Sequence, residues 1–208
     1  MRSESWMLDL VVLTADKNTQ LGLRALLAQP AKLGIAEIRV EVIAHPRRDP
    51  AVLREAHQFL RVYLSRARYA LVVFDREGCG DTASRTELEA RVQANLHANG
   101  WSSRSGVVVI DPELEAWVWS DSPHLPTVLG WKDGQAELRR FLSTRDLDWR
   151  PGRNPARPKE ALEAALEGAR RARSSSLYED LAQLVSFERC QDPGFLKLRS
   201  TLSGWFPR

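Results

Sequence analysis

The sequence has few cysteines and no long hydrophobic run, and these shortages exclude several classes of protein. Cys79 and Cys190 are the only two cysteines in 208 residues, and neither belongs to a CxxC pair of the kind that binds zinc. A scaffold built on several disulfides is therefore excluded, and both thiols are predicted to be reduced, as in the cytoplasm. No apolar stretch reaches the roughly 20 residues that cross a bilayer. The first seven residues lack the basic and apolar regions of a secretory signal.

Several catalytic motifs are missing as well. The chain contains no GxxxxGK[ST], no GxGxxG, no GxSxG and no HExxH pattern. What remains is the composition of a globular protein, with 43% hydrophobic and 27% charged residues and a net charge of +3. Residues 149–173 hold seven basic and three acidic side chains. That excess either follows a phosphate backbone or belongs to a solvated helix face and a loop.

Short apolar runs predict the fold. Residues 8–13, 69–74 and 107–110 are apolar without alternation, which is typical of strands buried on both faces of a parallel sheet. Residues 38–43 alternate in part and predict an edge strand. Segments with helical spacing lie between these runs, so an α/β domain with a parallel sheet is expected over residues 1–131. The remaining residues, 132–208, predict a helical extension packed on that domain.

Helix starts are marked by two capping patterns. Asp49 is predicted to cap a helix whose first position is Pro50. Ser84 and Glu87 have the spacing of a capping box, so another helix is expected to begin after Ser84.

Carboxylates follow three of the four predicted strands. They are Asp16 after the first strand, Asp75 and Glu77 after the third, and Glu113 and Glu115 after the fourth. Because the carboxyl ends of parallel strands share one edge of a sheet, these side chains are expected to meet there. Clustered carboxylates repel one another unless a cation joins them, and hard oxygen ligands suit Mg²⁺ or Mn²⁺. The alternative is that they serve as helix caps and surface charge.

Two details of this cluster follow from local geometry. Asp75 and Glu77 are two residues apart, so they point the same way if the strand end is extended. If Pro112 begins a helix, Asp111 is the cap of that helix and Glu113 is an acid in its first turn. In that case only Glu115 lies on the same side of the helix as Asp111.

An ordered set of short motifs resembles a Toprim-like family of unassigned function. The motifs are FDREGCG at 74–80, ELEAWVWSD at 113–121, RPKEAL at 157–162, SFERC at 186–190 and PGF at 193–195. This family is similar to the Toprim domains of topoisomerases, primases and overcoming-lysogenisation-defect nucleases, and its relatives are often linked with bacterial defence. The resemblance implies a Toprim-like, Rossmann-like domain that handles nucleic acid.

The resemblance also implies residue roles. Asp75 and Glu77 would coordinate a metal, and Glu115, with Glu113, would supply the second acidic motif. Lys159 would meet a phosphate, and further candidates for phosphate binding are Arg157 and Arg47.

The sequence departs from the family pattern at two positions. Ala15 stands where a general acid/base glutamate is usual, which leaves Asp16 as a substitute one residue later. Glu77 stands in place of a more usual aspartate. A shift of about 1 Å in a catalytic group can cost on the order of 100-fold in rate, so these changes predict weakened catalysis.

Three functions are compatible with these features. The first is a Mg²⁺- or Mn²⁺-dependent nuclease, with Asp16, Asp75, Glu77 and Glu115 in catalysis. The second is a catalytically impaired module that binds a nucleotide, a nucleic acid or a partner protein in a defence complex. The third is a plain interaction protein. A cytoplasmic protein without a membrane anchor is expected in each case.

Overall fold

The four predicted strands form a single sheet in the computed structural model of the protein, which describes residues 6–119, 122–150, 152–186 and 190–208. The motif positions 120–121 and 187–189 lie outside the described residues. The strands are β1 (Leu8–Thr14), β2 (Val40–Ala44), β3 (Ala67–Asp75) and β4 (Ser105–Ile110). All three pairings are parallel, in the order β2-β1-β3-β4. The predicted α/β parallel-sheet fold is therefore confirmed, and β2 is an edge strand as expected.

Helices separate the strands and continue after them. They are α1 (Lys17–Leu27), α2 (Pro30–Leu33), α3 (Arg48–Phe59), α4 (Arg85–Leu96), α5 (Glu115–Val118), α6 (Leu125–Leu129), α7 (Gly134–Ser143), α8 (Pro158–Gly168), α9 (Ser175–Leu184) and α10 (Pro193–Trp205). Short 3-10 turns lie at Leu60–Tyr63 and Glu77–Cys79. Within the described part of the chain, no helix combines the length and apolar character needed to span a bilayer.

The sheet has a hydrophobic core on each face. On one face, β-strand residues such as Val11 and Phe74 pack with Val52 of α3 and Leu88 of α4. The opposite face packs against α1 and the later helices, and its core includes the buried indoles of Trp117, Trp119, Trp131 and Trp149. Tryptophans in such a core support packing rather than base stacking.

Helices of the C-terminal region belong to the same core as the sheet. Leu162, Leu177 and Leu198 are buried in the cluster that contains Leu10 of β1. The indole Nε1 of Trp117 also donates to Asp192 Oδ1 at 2.8 Å, and Asp192 caps α10.

Helix α3 begins differently from the prediction. Its first residue is Arg48, so Asp49 lies inside the first turn and the predicted cap is wrong. Arg48 adopts a positive φ of 57°, a conformation that side-chain-bearing residues seldom adopt. Asp49 is instead buried against the end of β3, as described below. The capping box of Ser84 and Glu87 is present at α4 as predicted.

The outer side of β4 is covered by a charged side chain. Glu89 of α4 is buried, and its Oε1 accepts a hydrogen bond from the backbone amide of Val109 at 3.1 Å. Lys197 of α10 and Arg85 pair with the same carboxylate at 2.8 and 3.0 Å. Helices α4 and α10 are thereby joined at this edge strand.

Candidate functional site

The predicted carboxylates lie together in one cleft at the carboxyl edge of the sheet. The cleft has a volume of about 470 Å³, and its walls carry six carboxylates and three basic side chains. These residues are Asp16, Asp49, Asp75, Glu77, Glu113 and Glu115, with Arg48, Lys159 and Arg173. The strands converge as the parallel sheet requires, which explains how acids far apart in sequence share one pocket.

Asp75 is the most constrained of these acids. It ends β3, and its Oδ1 is fully enclosed with no hydrogen-bond partner in the described structure. Burial raises the pKa of Asp75 well above its usual value of 3.8, and repulsion from Asp49, Glu115 and Asp16 raises it further. A hydrogen bond from the backbone of Leu114 opposes these effects. The ionised form of Asp75 is therefore destabilised unless positive charge is supplied.

Asp49 is a member of the cleft that the sequence did not identify as functional. Its Oδ1 accepts a hydrogen bond from the backbone amide of Asp75 at 2.9 Å. Burial raises the pKa of Asp49, although the Asp75 amide lowers it in part. The available signal was its position shortly after β2, but the neighbouring Pro50 favoured its interpretation as a helix cap.

Glu77 lines the cleft for a different reason from the one predicted. The extended strand ends at Asp75, and Arg76 has helical angles of φ −65° and ψ −47°. Asp75 and Glu77 thus do not share a side through strand geometry, and that prediction is wrong. Glu77 is exposed at the start of a 3-10 turn, on the wall shared with a second cleft.

Glu115 already has basic and neutral donors. It is buried at the first position of α5, where its Oε1 accepts hydrogen bonds from Arg173 at 2.5 Å and from the Tyr178 hydroxyl. Burial raises the pKa of Tyr178, so the hydroxyl keeps the proton that it donates. Arg173 and Tyr178 come from the C-terminal region, and no sequence pattern connected them with Glu115.

Glu113 is also paired, although its helix starts later than predicted. Helix α5 begins at Glu115 rather than Pro112, and Asp111 pairs with Arg76 at 2.8 Å instead of capping a helix. Lys159 Nζ lies 3.3 Å from Glu113 Oε2. Burial raises the pKa of Glu113 and Glu115 adds to this, while Lys159 acts in the opposite direction.

Asp16 has a structural contact that limits its freedom. Its Oδ1 accepts a hydrogen bond from the Thr19 amide at 2.9 Å, which caps α1. The neighbouring Ala15 is buried, so no side chain from that position reaches the cleft as an acid. One oxygen of Asp16 is therefore used in the helix cap.

The basic candidates are distributed over different surfaces. Lys159 lies in the cleft, whereas Arg157 lines a second cleft of about 440 Å³ that shares Glu77, Glu113 and Lys159 with the first. Arg47 pairs with Glu55 and is not among the residues that line the acidic cleft, so its role in phosphate binding stays a prediction. The neighbouring side chain, that of Arg48, lines the cleft instead.

Most positive charge of residues 149–173 is neutralised locally. Five of the seven basic residues in this segment form ion pairs with carboxylates, namely Arg150, Arg157, Lys159, Arg171 and Arg173. Such pairing leaves less free positive charge for a phosphate backbone than the sequence count indicates.

The chain matches no known family model, no curated protein and no solved structure. The Toprim-like resemblance therefore stays a prediction, and the function must be argued from the cleft.

The cleft offers a divalent cation few carboxylates that are free of basic partners in the described residues. Among the residues that the structure describes, no three His, Cys, Asp or Glu side chains are arranged to hold a metal together. Mg²⁺, however, commonly binds through only one or two carboxylates, with water and substrate phosphates completing its shell. The enclosed Oδ1 of Asp75 and the hard oxygens around it fit that mode of binding. Glu113 and Glu115, which were predicted as ligands, are held by Lys159 and Arg173.

The raised pKa of Asp75 predicts a pH dependence of stability. An acid with a higher pKa in the folded state adds stability that is fully present below 3.8 and is lost as pH rises through the folded pKa. We expect Asp75→Asn to remove this loss. The difference in melting temperature, variant minus wild type, should increase from about pH 4 to about pH 8 in EDTA. A difference that stays constant with pH would show that Asp75 ionises normally.

Proposed function

We propose that this chain is a Mg²⁺- or Mn²⁺-dependent phosphoryl-transfer protein, namely a nuclease of Toprim-like type that acts on nucleic acid in bacterial defence. The observation that carries the proposal is Asp75, a carboxylate at the end of a central strand whose enclosed Oδ1 has no hydrogen-bond partner among the residues that the structure describes. A buried carboxylate beside other acids is unstable in its ionised form without a cation. Its position at the carboxyl edge of a parallel sheet is where such folds bind ligands.

Each side chain of the cleft has a separate role in this proposal. Asp75 would hold the cation. A bound divalent cation would polarise a phosphoryl oxygen and lower the pKa of a water molecule. Lys159 and Arg48 line the same cleft and give it cationic groups that bind a phosphate. Asp16 keeps one oxygen outside its helix cap and is the candidate proton acceptor. Arg157 extends the basic surface into the second cleft.

A second candidate function is a module that binds nucleotide, nucleic acid or a partner protein without cleaving nucleic acid. The contact of Arg173 favours this second function, because the Arg173 guanidinium forms an ion pair with Glu115, one of the carboxylates predicted to bind metal. Ala15 also supplies no acid where the resembled family has a glutamate. In either case the expected location is the cytoplasm, because Cys79 and Cys190 are both free thiols.

A cleavage assay tests the proposal. The purified protein is incubated with single- and double-stranded DNA and RNA in Mg²⁺, in Mn²⁺ and in EDTA. We expect product only with the divalent ions. Nucleic acid that is bound but left intact in every condition would favour the non-catalytic module, and cleavage that persists in EDTA would contradict the metal-dependent reaction.

A further inference from the structure

We propose that Asp49 is the second carboxylate of the cation site, acting together with Asp75. This inference rests on the proposed function and names a ligand that no sequence motif assigned. It also replaces the predicted ligand set of Asp75, Glu77, Glu113 and Glu115. Glu113 and Glu115 have basic partners and Glu77 is exposed, whereas Asp49 is buried and forms no ion pair in the described residues.

The first argument is the contact between the two residues. Asp49 Oδ1 lies 2.9 Å from the backbone amide of Asp75, which fixes the Asp49 carboxylate at the end of β3, next to residue 75. Asp49 is only 8% exposed, and Asp75 Oδ1 is fully enclosed, with no hydrogen-bond partner in the described ranges of the chain. Neighbouring carboxyl groups of this kind, one with an enclosed oxygen, offer a divalent cation the hard oxygen ligands that Mg²⁺ commonly binds.

The second argument comes from the partners of the other acids. Glu115 is paired with Arg173, Glu113 with Lys159, and Asp16 caps α1, while Glu77 is exposed to solvent. In the described residues, Asp49 forms no ion pair: its hydrogen-bond partners are backbone groups, and the adjacent Arg48 only lowers its pKa in part through electrostatic attraction. The Asp49 carboxylate can therefore bind a cation without first losing an ion pair, whereas Glu115 would have to separate from Arg173.

The third argument is the glycine next to the carboxylate. A Cβ added to Gly78 would lie 2.8 Å from Asp49 Oδ2, closer than real side chains allow. Asp49 can keep its place beside Asp75 only because residue 78 has no side chain. Gly78→Ala therefore displaces the Asp49 carboxylate without changing any charge.

Direct titration of the whole protein with Mn²⁺, followed by electron paramagnetic resonance of the free ion, tests this inference. We expect Asp49→Asn to weaken Mn²⁺ binding by at least about tenfold, since loss of one carboxylate removes both a ligand and a charge. Asp81→Asn is the matched control, because Asp81 also accepts a backbone amide bond but pairs with Arg91. Its Mn²⁺ affinity should stay within about twofold of wild type.

The outcomes separate the inference from the proposed function. If the wild-type protein binds no Mn²⁺, both the role of Asp49 and the proposed metal-dependent function are wrong. If it binds Mn²⁺ and Asp49→Asn binds equally well, only the role of Asp49 is overturned. Circular dichroism checks that each variant is folded. Should Asp49→Asn not fold, Gly78→Ala decides, since unaltered Mn²⁺ affinity in that variant would overturn the inference.

Discussion

Asp75→Asn is expected to lower the metal-dependent cleavage rate by at least about 100-fold, because the variant removes the enclosed charge on which cation binding depends. Asparagine has nearly the same shape, so Leu114 can still donate to the remaining oxygen. The measurement is kcat/KM for the best substrate at saturating Mg²⁺. The melting temperature in EDTA should not fall at neutral pH, since a destabilised ionised form is removed.

The control for this experiment is Asp9→Asn, which removes a carboxylate that pairs with Arg39 and lines neither cleft, and it should leave kcat/KM near the wild-type value. Cleavage by Asp75→Asn at the wild-type rate would exclude Asp75 from the reaction. A variant that is inactive and also strongly destabilised would show instead that Asp75 acts through the fold.

Arg173→Met is expected to lower the free energy of unfolding by about 2 kcal/mol in the absence of divalent ions. The variant leaves Glu115 as a buried carboxylate without its ion pair, and loss of one partner from a fully buried pair costs roughly 3–5 kcal/mol. The smaller value follows from the exposure of Arg173, whose side chain is 31% accessible, against 5% for Glu115. Urea unfolding in EDTA measures this change.

The same variant is expected to respond more strongly to Mn²⁺ than the wild-type protein does. Removal of Arg173 takes a positive charge away from the cleft, and a bound cation then compensates the charge of Glu115. The comparison is the increase in melting temperature on adding Mn²⁺. Arg171→Met is the matched control, because Arg171 lies in the same loop but pairs with Asp180 outside the cleft. Equal increases in the two variants would contradict a cation bound near Glu115.

The strands were predictable because their burial leaves a direct mark on the sequence. Strands covered on both faces must be apolar at successive positions, so the runs in 8–13, 69–74 and 107–110 could be identified without a structure. The start of α3 was not predictable to the residue. A helix can begin at Arg48 or after Asp49 with similar local preferences, and contact between Asp49 and the end of β3 accompanies the observed start.

Apart from Lys159, which the family resemblance indicated, the cleft was predictable only where its residues lie at or shortly after the ends of strands. Asp16, Asp75 and Glu115 come from strand ends, and parallel topology is enough to bring them to one edge. Arg173 reaches Glu115 from the loop between α8 and α9, and Tyr178 reaches it from α9, at separations of 58 and 63 residues. Such partners depend on how helices pack, and neither spacing nor periodicity records that packing.

The hydrogen bond between Glu89 and Val109 affects how molecules of this protein can associate. An exposed edge strand offers unpaired amides to which a strand of another molecule can bind. At β4 the amide of Val109 is already bonded, and the carboxylate that accepts it is fixed by Lys197 and Arg85. An intermolecular sheet built on β4 would have to separate both ion pairs first, so this edge resists aggregation by strand addition.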